Sequence, residues 1–241
     1  MAQLPFNWSE IDRSTLYSMF YALNSEIVGK ELSPNQIQKR INKHVKAHLP
    51  IKLKKCIHAP TTKGFVFMGG VYYSLLDKEN KPAIEVNFNY NPTDIKLKLT
   101  NYRFKRMAVR FADVVCHEMV HMRQFRARNF KSIPGYQSTA EYAKDRKQQE
   151  YYGDRDEMGA HAFNGACELI DRFGYDPTVI SCYLDSNECR RHKTSTWCYY
   201  LRVFDWNHNH PIIRRMKNLI MRQLENAYYG KPFKTATHLT Y

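Results

Sequence analysis

Two histidines four residues apart with a glutamate after the first, His117-Glu118-Met119-Val120-His121, are the residues of this chain best suited to do chemistry. On a helix, positions four apart share a face, so both imidazoles can reach one tetrahedral metal ion. Glu118 sits about 100° round the helix from His117, where its carboxylate reaches a water on the metal without being a ligand. This HExxH pattern is the arrangement in which zinc lowers the pKa of water towards neutrality and the glutamate takes its proton.

A catalytic zinc needs a third protein ligand and one open position. Three residues after His121 stands Gln124, and six after stands Ala127, so no further histidine follows at metzincin spacing. The third ligand is therefore sought in residues 151–162, Tyr-Tyr-Gly-Asp-Arg-Asp-Glu-Met-Gly-Ala-His-Ala. There Glu157 opens a helix whose small residues Gly159, Ala160 and Ala162 permit close packing, and a carboxylate near a helix N-terminus is favoured by the dipole. His161 lies four residues on, on the same face as Glu157, and is the alternative ligand.

On these residues, across roughly 65–173, the chain resembles the gluzincin group of zinc metallopeptidases, in particular small zincins of bacteria and phages with a "DE-x-x-A-x-A"-like second motif. The resemblance implies that His117, His121 and Glu157 bind Zn2+ and that Glu118 is the general base. The SprT-like family is similar in the order of its elements, but its third ligand is a histidine, which would be His161. Its association with DNA fits a basic chain. Larger gluzincins often place an aspartate where His161 stands, to orient a zinc histidine, and Asp113, one turn before His117, is the candidate for that duty here. Tyr151, Tyr152 or His161 would donate to the oxyanion. A substrate peptide would lie antiparallel to an edge strand, expected at Val71 to Leu75.

The elements that must position these residues are legible in outline. Ser9 can cap a helix to about Leu23. Ser33-Pro34 opens a second, with Ile37, Ile41, Val45 and Leu49 at four-residue spacing. Residues 64–90 turn β-rich, with period-two alternation over 84–90, a turn at 77–81, and Gly69-Gly70 marking a bulge or a close backbone approach. A long helix capped by Thr100 or Asn101 runs to about Arg126 and is broken at 131–137. Helices follow over about 139–150 and from Asp154 or Asp156 to Phe173, where Gly174 supplies the stop. Residues 178–210 read as irregular, and an amphipathic helix covers about 212–228 before a polar tail. This is an α+β chain, expected to form one domain over 1–241 with a helical part (1–63), a metallopeptidase core (64–173) and a Cys- and aromatic-rich segment with a C-terminal helix (174–241).

Thirty-seven Lys and Arg face 23 Asp and Glu, a net charge of +14. They are dense at Lys39 to Lys55, Arg103 to Arg110, Arg123 to Lys131 and Arg190 to Lys193. Such charge suits nucleic acid or another polyanion, with aromatics interleaved at Tyr102-Arg103-Phe104-Lys105-Arg106. A basic nucleic-acid-binding protein with a structural or vestigial zinc is the alternative function, and an inactive virion or scaffold component a third. Glu118 counts against the third, because a structural metal does not need it.

No run of eighteen apolar residues is present, and no signal peptide opens the chain, so a cytoplasmic protein is expected. Six cysteines are too few for a disulfide scaffold; Cys116 and Cys167 fall in apolar helical patterns and read as core. Cys182, Cys189, His192 and Cys198, with His208 and His210 beyond, have metal-ligand chemistry but no familiar spacing, so buried thiols are the plainer expectation.

Overall fold

The computed structural model describes residues 6–57, 66–191 and 194–228. Gly64 and Phe65 of the expected hairpin, His192 and Lys193, and the polar tail from 229 lie outside the described residues. The fold is α+β, and it divides into two compact units at Phe130 and Lys131.

The first unit opens with a short 3-10 turn, Trp8–Glu10, capped by Asn7 rather than by Ser9. Helix α1 (Arg13–Tyr21) then starts at Asp12, whose carboxylate accepts from the Thr15 N–H. A single turn, α2 (Asn24–Ile27), leads to strand β1 (Glu31–Leu32). Helix α3 (Pro34–His48) begins where Ser33 and Gln36 cap each other reciprocally, and it buries Ile37, Ile41 and Val45. This is the capping box with proline at the first helical position.

Strands β2 (Ile51–Ile57), β3 (Val66–Tyr72) and β4 (Ile84–Tyr90) form a sheet in the order β2-β4-β3. β3 and β4 are antiparallel, while β2 runs parallel to β4. The centre strand alternates buried Ile84, Val86, Phe88 and Tyr90 with half-buried partners, so one sheet face is apolar. Gly69 and Gly70 pair with Asn87 and Val86 in unbroken register. The glycine pair therefore marks a close approach and not a bulge. β3 ends at Tyr72, and residues 74–78 of the expected substrate strand and turn form helix α4 (Ser74–Lys78).

Strand β5 (Leu97–Lys98) pairs with β1, and helix α5 (Asn101–Ala127) follows, capped by Thr100. It packs on β3, β4 and α1. Phe20 packs on Phe104 and Phe111 with ring centroids 5.7 and 4.7 Å away. Arg13, 2% exposed, meets Asp113 at 2.7 Å, and Arg126 grips Asp77 of α4 through two bonds of 2.6 and 2.8 Å. These pairs tie the middle and the C-terminal end of the motif's helix to its neighbours, and the Arg13 pair is buried enough that removing one partner would cost about 3 kcal/mol.

The second unit is helical. It comprises α6 (Ala143–Gly153), α7 (Arg155–Phe173), α8 (Pro177–Asp185), α9 (Thr196–Val203) and α10 (Pro211–Tyr228). α7 ends at Gly174, whose φ of 68° needs glycine. Residues 178–210, expected to be irregular, hold α8, a short 3-10 turn and α9, each helix capped by Asp176 or Ser195. The core gathers Met158, Ala162 and Ala166 of α7 with Trp197 and Leu201 of α9 and Ile213, Met216 and Ile220 of α10.

Candidate metal centre

His117, Glu118 and His121 lie six to ten residues before the C-terminal end of α5, which packs on β3. His117 is half-buried; Glu118 and His121 are buried at 6% and 8% exposure. The two Nε2 atoms face each other at 3.2 Å, with the rings 76° apart. Two nitrogens bound tetrahedrally to one zinc at about 2.0–2.1 Å stand about 3.3 Å apart. The imidazole pair is thus spaced as one edge of a zinc tetrahedron.

The tautomer is set from behind. His121 Nδ1 is 3.2 Å from Gln124 Oε1, so Nδ1–H donates to the amide oxygen and the Nε2 lone pair is left for a metal. Gln124 is three residues on and on the same face, a position from which an amide can reach back. The sequence carried that signal, but Gln124 drew notice only as the residue standing where a histidine was sought.

Glu118 meets the strand at Gly70. A Cβ built on Gly70 would fall 2.5 Å from Glu118 Oε1 and 2.7 Å from Val114 Cγ1. Only a glycine lets β3 lie this close to the glutamate, which explains the close approach expected from Gly69-Gly70.

Glu157 is the third residue of α7. Asp154 caps that helix, accepting from the N–H groups of Asp156 and Glu157 at 2.8 and 3.4 Å, so the start of α7 and the place of Glu157 are fixed together. Two imidazoles and a carboxylate are a fitting donor set for zinc. The Nε2 of His161, the alternative ligand, is 3.8 Å from Glu157 Oε2.

Around Glu157 and His161 stands a group of phenols that the sequence did not bring together. Tyr152 and Tyr200 have ring centroids 5.3 and 5.7 Å from that of His161, and Tyr152 also packs on Tyr199 at 5.0 Å. Burial, then the neighbouring Tyr199 phenol, pushes Tyr152 above the usual phenol range, and burial with the Glu157 carboxylate does the same to the fully buried Tyr200. Both stay protonated donors at neutral pH. Tyr151, the other expected donor, is 47% exposed.

Asp113 sits one turn before His117 as expected, and its carboxylate bonds Arg13. Among the described residues, the cysteines enter no group of three potential metal ligands. Cys189 and Cys198 are buried neighbours whose thiols share a hydrogen bond, Cys182 is exposed, and His208 and His210 are engaged with Asn187 and the Ile212 N–H. Burial, then the adjacent Cys198, raises the Cys189 thiol to about 12, so it is a protonated packing group.

No family model matches the chain, and no significant match is found among curated proteins or solved structures.

Proposed function

We propose that the chain is a zinc-dependent peptidase of zincin-like build, with His117, His121 and Glu157 as metal ligands and Glu118 as general base. The observation that carries this reading is the pair of imidazole Nε2 atoms 3.2 Å apart on an HExxH helix, with the buried Glu118 carboxylate on the same stretch of helix. Zinc bound there would supply Lewis acidity to a water and to the scissile carbonyl.

The remaining work falls to the chain's own side chains. Glu118 takes the proton of the attacking water and passes it to the leaving amine. Gln124 holds His121 in the tautomer that presents Nε2. Tyr152 and Tyr200 pack their rings against His161 beside Glu157 and keep that side of α7 closed to water. Among the described residues β3 pairs on one side only, with β4, so its other edge offers backbone N–H and C=O groups to an extended peptide. Exposed Val71, Tyr73 and Leu75 at the end of that edge favour apolar residues in the peptide. Glu118 distinguishes this reading from a purely structural metal site, in which a buried carboxylate beside the two histidines would have no task.

The test is cleavage of fluorescently labelled casein by the zinc-reconstituted protein. Glu118→Gln should keep its zinc and lose about 10²- to 10⁴-fold in rate. Equal cleavage by wild type and variant would refute the assignment.

A further inference from the structure

The charge of this chain is not shared evenly. Residues 1–130 hold 21 Lys and Arg against ten Asp and Glu, whereas residues 131–240 hold 16 against 13. Within the first unit, residues 95–112 contain six cations and no acid. They comprise β5 and the first three turns of α5.

The helix buries Phe104, Met107, Ala108 and Phe111 and turns Tyr102, Arg103, Lys105 and Arg106 outward. Lys98, just before the helix, is exposed as well. Among the described residues no carboxylate lies within 4.0 Å of Lys98, Arg103, Lys105 or Arg106.

Their position opposes stability. The N-terminal turn of a helix carries the positive end of its dipole, so anions are favoured there and cations disfavoured. α5 has no acid in its first turn and carries three cations in its first two. A local rule broken without compensation within the fold is where a ligand is expected to supply the missing charge.

We infer that the outward face of the α5 N-terminal half, formed by Lys98, Tyr102, Arg103, Lys105 and Arg106, binds single-stranded nucleic acid. The guanidinium groups match phosphate oxygens in a bidentate fork. Tyr102 is 55% exposed, with the Arg106 guanidinium 5.8 Å from its ring centre, a platform on which an unpaired base can stack. Phe104, the other aromatic of this stretch, is fully buried and takes no part. A stacking tyrosine needs an unpaired base, which favours a single strand over a duplex or a lipid headgroup. This inference does not depend on the metal centre.

The experiment is fluorescence anisotropy of a labelled 20-nucleotide oligo-dT with the full chain, over a series of KCl concentrations. Wild type should bind, with affinity falling steeply as salt rises. Arg103→Glu with Lys105→Glu and Arg106→Glu should weaken binding at least tenfold and flatten the salt slope by about 2, at about 0.7 per phosphate. Tyr102→Ala, which leaves the charge intact, should weaken binding several-fold without changing the slope. The control is charge reversal at exposed Arg214, Arg215 and Arg222 on α10, which should stay within twofold of wild type. Equal loss in the α10 variant would show bulk charge alone and overturn the assignment. So would an absence of binding at low salt, or binding of a duplex or of phosphatidylserine vesicles as tight as that of oligo-dT.

Discussion

A single amide decides which nitrogen of His121 faces the metal position. Gln124→Leu removes the acceptor for Nδ1–H and should weaken zinc binding about 10- to 100-fold while the fold stands, read by competition with a chromophoric chelator. An unchanged zinc affinity would remove Gln124 from the account. Gly70 can be judged in the same way. Gly70→Ala places a methyl 2.5 Å from Glu118 Oε1, so the carboxylate or the strand must shift. Zinc should be retained while casein cleavage falls at least tenfold, the cost expected of a catalytic group displaced by about 1 Å. His117, Glu118 and His121 were legible in the sequence because their relation is local: spacing along one helix fixes their common face. Gly70 and Tyr200 were not, because only the tertiary fold brings a strand to Glu118 and α9 to Glu157.

At the scale of elements, caps and periodicity carried the reading well where they were unopposed. Ser33-Pro34, Thr100 and Gly174 mark real boundaries, and the alternation of 84–90 is the centre strand. β2 was missed because Ile51-Lys-Leu-Lys-Lys-Cys-Ile reads first as a charge run; it becomes a strand by pairing in parallel with β4, a non-local event. Residues 178–210 read as irregular because they lack a clean apolar period, although Asp176-Pro177 is a cap and first helical position, and α8 begins there. His210 gives this scale a pH dependence. Its Nδ1 accepts from the Ile212 N–H at 3.2 Å at the start of α10, its ring packs on Phe204, and burial lowers its pKa, partly opposed by Asp205. A group with a depressed pKa in the folded state binds fewer protons there than when unfolded. Its contribution is therefore present above the ordinary histidine range near 6.5 and lost as pH falls through and below it. Asparagine caps a helix without titrating near neutrality, so the difference in Tm between wild type and His210→Asn should move against wild type from pH 7.5 to 5.5. The cap is worth about 1 kcal/mol. A difference in Tm constant over that range would show that His210 is not the titrating cap.

Across the whole molecule, the α+β class and the excess of basic residues were plain in the sequence, but their distribution was not. The break at 131–137 was visible as the end of a helix; that the chain packs as two units on either side of it, with most of the net charge in the first, depends on contacts that spacing does not encode. Among the described residues no helix is long and apolar enough to cross a membrane. The choice between Glu157 and His161 is likewise tertiary, since the two share a face and lie within 3.8 Å of each other. The proposed centre takes the glutamate, and the metal content of purified protein tests it. After exhaustive dialysis from excess zinc, wild type and His161→Ala should each retain about one zinc per chain, while His117→Ala, His121→Ala and Glu157→Ala should retain little. Folded wild type without zinc, or zinc kept by Glu157→Ala and lost by His161→Ala, would contradict the proposed centre.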